Sequence, residues 1–312
     1  MGLNNADKKL LPKEGDPLAV QQDNVIPTNL SKILRKLWQL RMGVIGGLVI
    51  MGLVVVALFT PYLAPGDPYA QVPKHRLSPP AWEEGGRIEN LLGTDHVGRD
   101  LLTRIMYGTR ISLFVGISAV ILEVFMGVLL GLLAGYYGGK TDSIISFLVN
   151  VMLGFPFILL AMSLVAVLGA SLQNIIIALG LTGWPVFTRV IRIETMRLRE
   201  SEFVLAAKTQ GFKTIRILVI HILPNILPTL TVLASVEVAR AIILESLLSF
   251  LGLGIQPPTP SWGLLLAEGR NYMFMAWWLA TFPGLAIFLA ALGINLLGDA
   301  LRDLTDPHLR KS

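Results

Sequence analysis

The 312-residue chain contains no cysteine. A disulfide framework, a thiolate nucleophile and a cysteine-ligated metal are excluded together. Charge is also scarce: Asp, Glu, Lys and Arg make up 15% of the residues, against about 25% in a soluble domain. Hydrophobic residues reach 53% and mean hydropathy is +0.64, so the chain reads as an all-α membrane protein. From Ser143 to Thr188 there is no charged residue at all. Histidine is limited to His75, His96, His221 and His308, which are scattered and form no HExxH helix. A membrane-embedded hydrolase therefore has no visible base or metal-ligand set. Gly139-Lys140-Thr141 imitates the tail of a phosphate-binding loop, but the glycine required five positions before Gly139 is Ala134. A membrane-length apolar run precedes it instead of a soluble strand. The chain is expected to bind no ATP, cofactor or metal. Its net +5 does not imply nucleic acid, because the bases gather in loops beside apolar runs.

What is present divides into six apolar spans. Residues 1–41 are polar and basic, too long a lead for a cleavable signal peptide. They read as a cytoplasmic tail ending in an interfacial helix around Leu30–Leu40. Spans follow at about Met42–Tyr62, Ile111–Tyr136, Ile144–Leu168, Ile175–Ile193, Leu230–Gly252 and Ala276–Leu297. An extracytoplasmic loop fills 63–110, a core of five spans fills 111–300, and 301–312 form a second tail. Gly127, Gly131 and Gly135 fall four apart in the second span, the small-residue spacing that lets membrane helices pack closely. Pro156 and Pro185 are expected to kink their helices.

Four ionisable groups fall inside spans. Lipid would penalise each by roughly 2.5–3.5 kcal/mol at its centre. Glu123 either serves the pathway or faces the bundle interior. Glu237, Arg240 and Glu245 cover an arc of about 140° at helical spacing, so one half of that helix is polar. Glu237 and Arg240 stand three apart and can pair within the helix. The sequence leaves open which of them faces a pathway.

Between the fourth and fifth spans lies Ser201–Pro224, SEFVLAAKTQGFKTIRILVIHILP. Ser201 can cap a short helix carrying Phe203, Ala206, Ala207 and Gln210 on one face. Adjacent alanines would let another protein approach the backbone, and Gly211 suits a helix stop. Gly211 is followed after twelve residues by Leu223-Pro224. This spacing closely resembles the cytoplasmic EAA loop of ABC-importer permeases, a helix that docks on an ATPase subunit. The motif's usual Glu is Leu205 here, and Glu202 is the nearby carboxylate that could stand in for it.

Other stretches are similar to the dipeptide/oligopeptide/nickel group of those importers, and to its "C" permease subunit. They are Leu92-Gly93-Thr94-Asp95 with Gly98-Arg99-Asp100, Tyr107-Gly108-Thr109-Arg110 with Ser112-Leu113, Ser249–Gly254 with Pro257–Gly263, and Gly298–Asp303 with Asp306-Pro307. The resemblance implies a type I importer core with an extra N-terminal span. It also implies a homologous second permease, two ATPase subunits carrying ATP and Mg²⁺, an extracytoplasmic binding protein, and a place in a prokaryote's cytoplasmic membrane. Glu202, Phe203, Leu205, Ala206, Ala207, Gly211, Leu223 and Pro224 would form the coupling loop. Trp262 would either meet the binding protein or pack against its own loop, and Asp95 and Asp100 suit turn or helix capping.

Charge asymmetry supports the orientation. Arg189, Arg192, Arg197, Arg199, Lys208, Lys213 and Arg216 crowd around the coupling loop, whereas the loop Gln256–Trp277 holds only Arg270. Both termini are expected on the cytoplasmic side. An ion-coupled secondary transporter would instead use the buried carboxylates, but the inverted repeats it predicts are not visible. Di- or oligopeptides, nickel chelates or another small solute fit the resemblance equally.

Overall fold

The computed structural model describes the backbone of residues 30–305 and the side chains of residues 41–303. The tails expected over 1–41 and 301–312 therefore lie partly outside the described residues. By its contacts the chain divides into residues 1–39 and 40–312. The described part of the first unit is helical, and the second unit holds everything that follows.

Ten helices are described: α1 (Leu30–Leu63), α2 (Leu101–Tyr137), α3 (Gly139–Gly154), α4 (Phe157–Leu168), α5 (Leu172–Arg199), α6 (Glu202–Thr209), α7 (Thr214–Arg216), α8 (Leu223–Phe250), α9 (Trp262–Arg270) and α10 (Trp278–Thr305). The described residues contain no strand, only one isolated bridge between Thr94 and Asp100. Five stretches are long and apolar enough to cross a membrane: Arg41–Leu63, Leu101–Tyr137, Leu172–Arg199, Thr214–Phe250 and Trp278–Asp303. The pair α3 and α4 makes a sixth if its two halves, bent by 89°, count as one span.

Several boundaries differ from the expected ones for identifiable reasons. α2 begins ten residues early because Asp100 caps it, its Oδ2 accepting from the Thr103 N–H at 2.8 Å. The expected third span is two helices. Pro156 lacks an N–H and forces Phe155 into extended backbone (φ −94°, ψ 140°), which ends α3. Pro185, expected to kink its helix, lies inside α5, which continues as one helix. The outer loop after α8 holds α9, capped by Ser261 through the Leu264 N–H at 3.2 Å. Gly139-Lys140-Thr141 opens α3 directly after α2, with no strand before it.

The centre of the bundle is α2 packed along α5. Gly127, Gly131 and Gly135 form the contact stripe: a methyl added at Gly131 would lie 2.7 Å from Ile191 Cβ, and one at Gly135 would lie 2.6 Å from the Arg192 carbonyl. Phe187 and Ile191 of α5 are fully buried against it. α8 packs on α2 and α10, and Gly43 and Gly46 of α1 lie against Ala300, Gly293 and Leu296 of α10. Toward the C-terminal end of α5, Arg192 pairs through two nitrogens with Asp142 of α3.

The loop before α2 is fastened by a four-charge box. Asp95 Oδ1 accepts from the Val97 and Arg99 N–H groups, both at 2.9 Å. Its Oδ2 accepts from Arg99 Nε at 2.6 Å and from Arg104 Nη1 at 2.7 Å. Glu268 of α9 accepts from Arg104 Nη1 at 2.6 Å and from Arg99 Nη2 at 3.2 Å. Arg104 is fully buried, and its charge is acceptable there only because both carboxylates meet it.

Burial alone would push the Asp95 carboxyl up. The Arg99 N–H, the Arg104 guanidinium, the Val97 N–H and the Arg99 side chain outweigh it and hold the group below the usual carboxylate range. A depressed folded-state value gives stability that is complete above the unfolded value and lost as pH falls through the folded one.

Two predictions follow from these contacts. Gly131→Leu should lower stability in detergent by about 1–3 kcal/mol through overpacking. Gly52→Leu, at a site with open space around it, should change it by less than about 0.5 kcal/mol. In a thermal series from pH 8 to 3, Asp95→Asn should be less stable at neutral pH by about 3–5 kcal/mol. Its deficit should begin to shrink only below about pH 4, the ordinary value of an unfolded Asp carboxyl, and go on shrinking as pH falls toward the lowered folded value.

Candidate coupling surface and intramembrane polar groups

α6 leaves the C-terminal end of α5 by a tight turn. Ser201 occupies the cap position but does not cap with its side chain; Oγ donates to the Leu198 carbonyl at 2.5 Å instead. Its backbone carbonyl accepts from Val204 and Leu205 and starts the helix. Val204 and Ala207 turn into the core, three residues apart. The expected face of Phe203, Ala206, Ala207 and Gln210 is therefore divided: Ala207 is buried, and Phe203, Ala206 and Gln210 are exposed. Glu202 and Leu205 are exposed as well. The result is a short helix offering Phe203, Leu205 and the low profile of Ala206 outward.

The helix stop is the expected one. Gly211 takes φ +75°, which residues with a side chain adopt reluctantly. The Phe212 N–H donates to the Ala207 carbonyl at 3.2 Å and the Gly211 N–H to Lys208 at 3.0 Å, a Schellman closure. Gly211 itself is exposed with open space around it.

Three aromatic contacts fix the loop on the bundle. Lys208 lies 5.2 Å over the Tyr136 ring at the end of α2, and Arg199 donates to the Tyr136 carbonyl at 3.2 Å. Phe212 stacks on His221, rings 5.9 Å apart and 7° from parallel, and Arg216 lies 4.4 Å over the Phe212 ring. Between α7 and α8 the backbone forms a π-helical turn, Ile217–Ile222. Pro224, exposed at the start of α8, has no N–H to return to residue 220, and the wider turn spans that gap. Leu223 beside it is half-buried against the core.

The intramembrane groups separate into two clusters. Glu245 is fully buried near the C-terminal end of α8. Its oxygens accept from Ser249 at 2.8 Å, Ser261 at 3.1 Å, and Ser112 and Ser246 at 3.4 Å each. Ser112 Oγ in turn accepts from the Trp262 N–H at 3.2 Å, and Trp262 Nε1 donates to the Ile105 carbonyl. Trp262 is fully buried, which settles its two expected roles in favour of packing.

The second cluster holds Glu123, Glu237 and Arg240, which interact electrostatically. Glu123 is buried against Gly183 of α5, and its Oε2 has no hydrogen-bond partner among the described residues. Arg240 Nη1 reaches Glu237 at 3.1 Å, the expected pair at three residues' spacing. Its guanidinium lies 4.5 Å over the Phe157 ring of α4.

Sequence reading did not find the serines around Glu245, the Asp95–Arg99–Arg104–Glu268 box or the part of Phe157. Asp95, His96 and Glu268 come close enough together to suggest a metal site. Both carboxylates already face Arg99 and Arg104, whose charges oppose a cation there.

Glu245→Ala leaves four hydroxyls without their shared acceptor. It should destabilise the detergent-solubilised chain by at least about 1–3 kcal/mol. Glu245→Gln keeps one carbonyl acceptor and should cost less, as a paired thermal unfolding measurement will show.

Residues 127–311 match the family described as "Binding-protein-dependent transport system inner membrane component". Residues 28–80 match "N-terminal TM domain of oligopeptide transport permease C". The Di/tripeptide transport system permease protein DppC of Pseudomonas aeruginosa is 43% identical over 283 residues, 89% of this chain and 93% of that protein. The Dipeptide transport system permease protein DppC of Alkalihalophilus pseudofirmus is 40% identical over 99% of this chain and 100% of its own length. The Glutathione transport system permease protein GsiD of Pectobacterium atrosepticum is 40% identical over 94% of this chain and 96% of its own. Among solved structures, a chain of the inward-facing MetNI methionine ABC transporter superposes with a TM-score of 0.51 at 19% identity. It covers 64% of this chain and 95% of that one, and shows a shared fold. With a family match over residues 127–311 and relatives of 40–43% identity along nearly their whole length, this chain belongs to the binding-protein-dependent transport system inner membrane components, among the permease subunits of the dipeptide/oligopeptide ABC importers.

Proposed function

We propose that the chain forms one transmembrane half of an ATP-driven peptide importer and that α6 is its contact with an ATPase subunit. The observation that carries the reading is α6 itself. It is a short, sharply stopped helix that exposes Phe203, Leu205 and Ala206 and is fastened to α2, α5 and the start of α8. The relatives' di/tripeptide and dipeptide permease names support peptides as the solute.

In this reading the chain works beside a homologous second permease, with two ATPase subunits below and a binding protein outside. ATP and Mg²⁺ sit on the ATPase subunits. Closure of the ATPase pair pushes on α6. The Tyr136 and His221 contacts carry the push into α2 and α8, and the pathway exchanges outward for inward access. The bases around α6 support a cytoplasmic position for it, for both termini and for the C-terminal end of α5. α1 is the span added to a type I core. Leu205, exposed where the motif's usual Glu would stand, makes this contact more apolar, with Glu202 one turn away.

The exposed alanine is the informative position to test. Ala206→Arg combined with Leu205→Asp, both exposed on α6, should leave the folded chain and its partner permease intact. Co-purifying ATPase and binding-protein-stimulated hydrolysis should fall by at least about tenfold, a loss of roughly 1.4 kcal/mol or more at the contact. Ala207→Arg is the contrasting variant, since it inserts a charge into the core and should unfold the loop. An intact double variant that still holds and stimulates the ATPase would refute the assignment of α6.

A further inference from the structure

Among the ionisable groups of α8, only Arg240 reaches open space. Glu123, Glu237 and Glu245 are buried, whereas the Arg240 side chain is 38% exposed. Arg240 stands ten residues from the outer end of α8, about 15 Å at 1.5 Å per residue. That depth is within the apolar layer. A guanidinium there does not face lipid; it faces protein or a water-filled cavity.

Its surroundings hold it still without using it up. Nη1 is bound by Glu237 at 3.1 and 3.3 Å, and one face lies on the Phe157 ring. Nε and Nη2 make no hydrogen bond to the described residues, so one edge of the donor fork is free.

A second feature points to the same place. Phe157 is the first residue of α4, immediately after the 89° break at Phe155-Pro156. Phe155 and Pro156 are exposed there. Irregular backbone at membrane depth is stable only where it is covered by protein or lines water. A broken helix and a half-exposed guanidinium thus meet at one point.

Resting on the peptide-importer reading above, we propose that Arg240 is a solute contact of the pathway, whose free edge donates to carboxylate and carbonyl oxygens of the passing peptide. Planar paired N–H donors match a carboxylate and turn away an ammonium. Glu237 and Phe157 are positioning residues that aim the fork. The contact favours solutes with an additional acid over those with an additional base.

The test uses the complete importer in proteoliposomes with binding protein outside and ATP inside. Uptake of alanyl-glutamate and alanyl-lysine is measured beside stimulated ATP hydrolysis for wild type, Arg240→Gln and Arg240→Lys. Because both dipeptides pass through the same binding protein, its selectivity cancels in the ratio between variants. Arg240→Gln should assemble and hydrolyse ATP within about twofold of wild type. Its ratio of acidic to basic dipeptide uptake should fall by about tenfold, the scale of one charge-assisted hydrogen bond. Arg240→Lys should recover part of the ratio. An unchanged ratio in Arg240→Gln overturns the proposal. So does loss of the partner permease from that variant, which would make the guanidinium an ion-pair partner between subunits. A wild-type importer that hydrolyses ATP with its binding protein yet moves neither dipeptide removes the peptide reading itself, and this contact with it.

Discussion

A carboxylate inside a membrane bundle must be answered by donors, and the region where α2, α8 and α9 meet is arranged around that requirement at Glu245. Its four serine partners come from α2, from α8 and from the cap of α9. Ser261 also caps α9, and Ser112 also receives the Trp262 amide. The largest fully buried side chain, Trp262, is therefore held at both its backbone and its ring nitrogen. Remove the acceptor and three helices lose a common point of attachment. The Asp95–Arg104 box repeats the principle nearer the surface, with charges in place of hydroxyls.

Lower in the bundle, shape takes over from polarity. Lipid tails are as apolar as leucine, so helix association rests on close packing. The glycine stripe of α2 gives α5 that close approach. α5 then carries the packing to its C-terminal end, where the Arg192–Asp142 pair and the Arg199–Tyr136 bond close it. α6 is attached where this packing ends. It inherits a rigid base from elements the glycines hold together.

How much of this was legible in the chain depends on the range over which each interaction acts. The glycine stripe, the Gly211 stop and the Glu237–Arg240 pair are local patterns of three or four residues, and the structure has them. The break at Pro156 follows from one missing N–H, though a kink and not a full 89° turn was expected. Ser201 misled because a hydroxyl at a cap position has two local carbonyl and amide options, and it took the carbonyl of Leu198. Glu245 was visible as an oddity, but Ser112 lies 133 residues away and no local pattern names it. The π turn was invisible for another reason. Six residues are too few for their period to be told from that of an ordinary helix.

That turn gives the motif spacing a mechanical meaning. Between Gly211 and Pro224 the chain passes through only two residues outside any helix, Phe212 and Lys213, before a short helix and a wide turn. Each residue inserted or deleted there would swing α6 by about 100° around the axis of α8. The distance from the glycine to the proline is therefore an angle as much as a length. It sets the azimuth at which Phe203 and Leu205 point away from the bundle. A substitution along this stretch changes what α6 presents, whereas the gain or loss of one residue changes where α6 points.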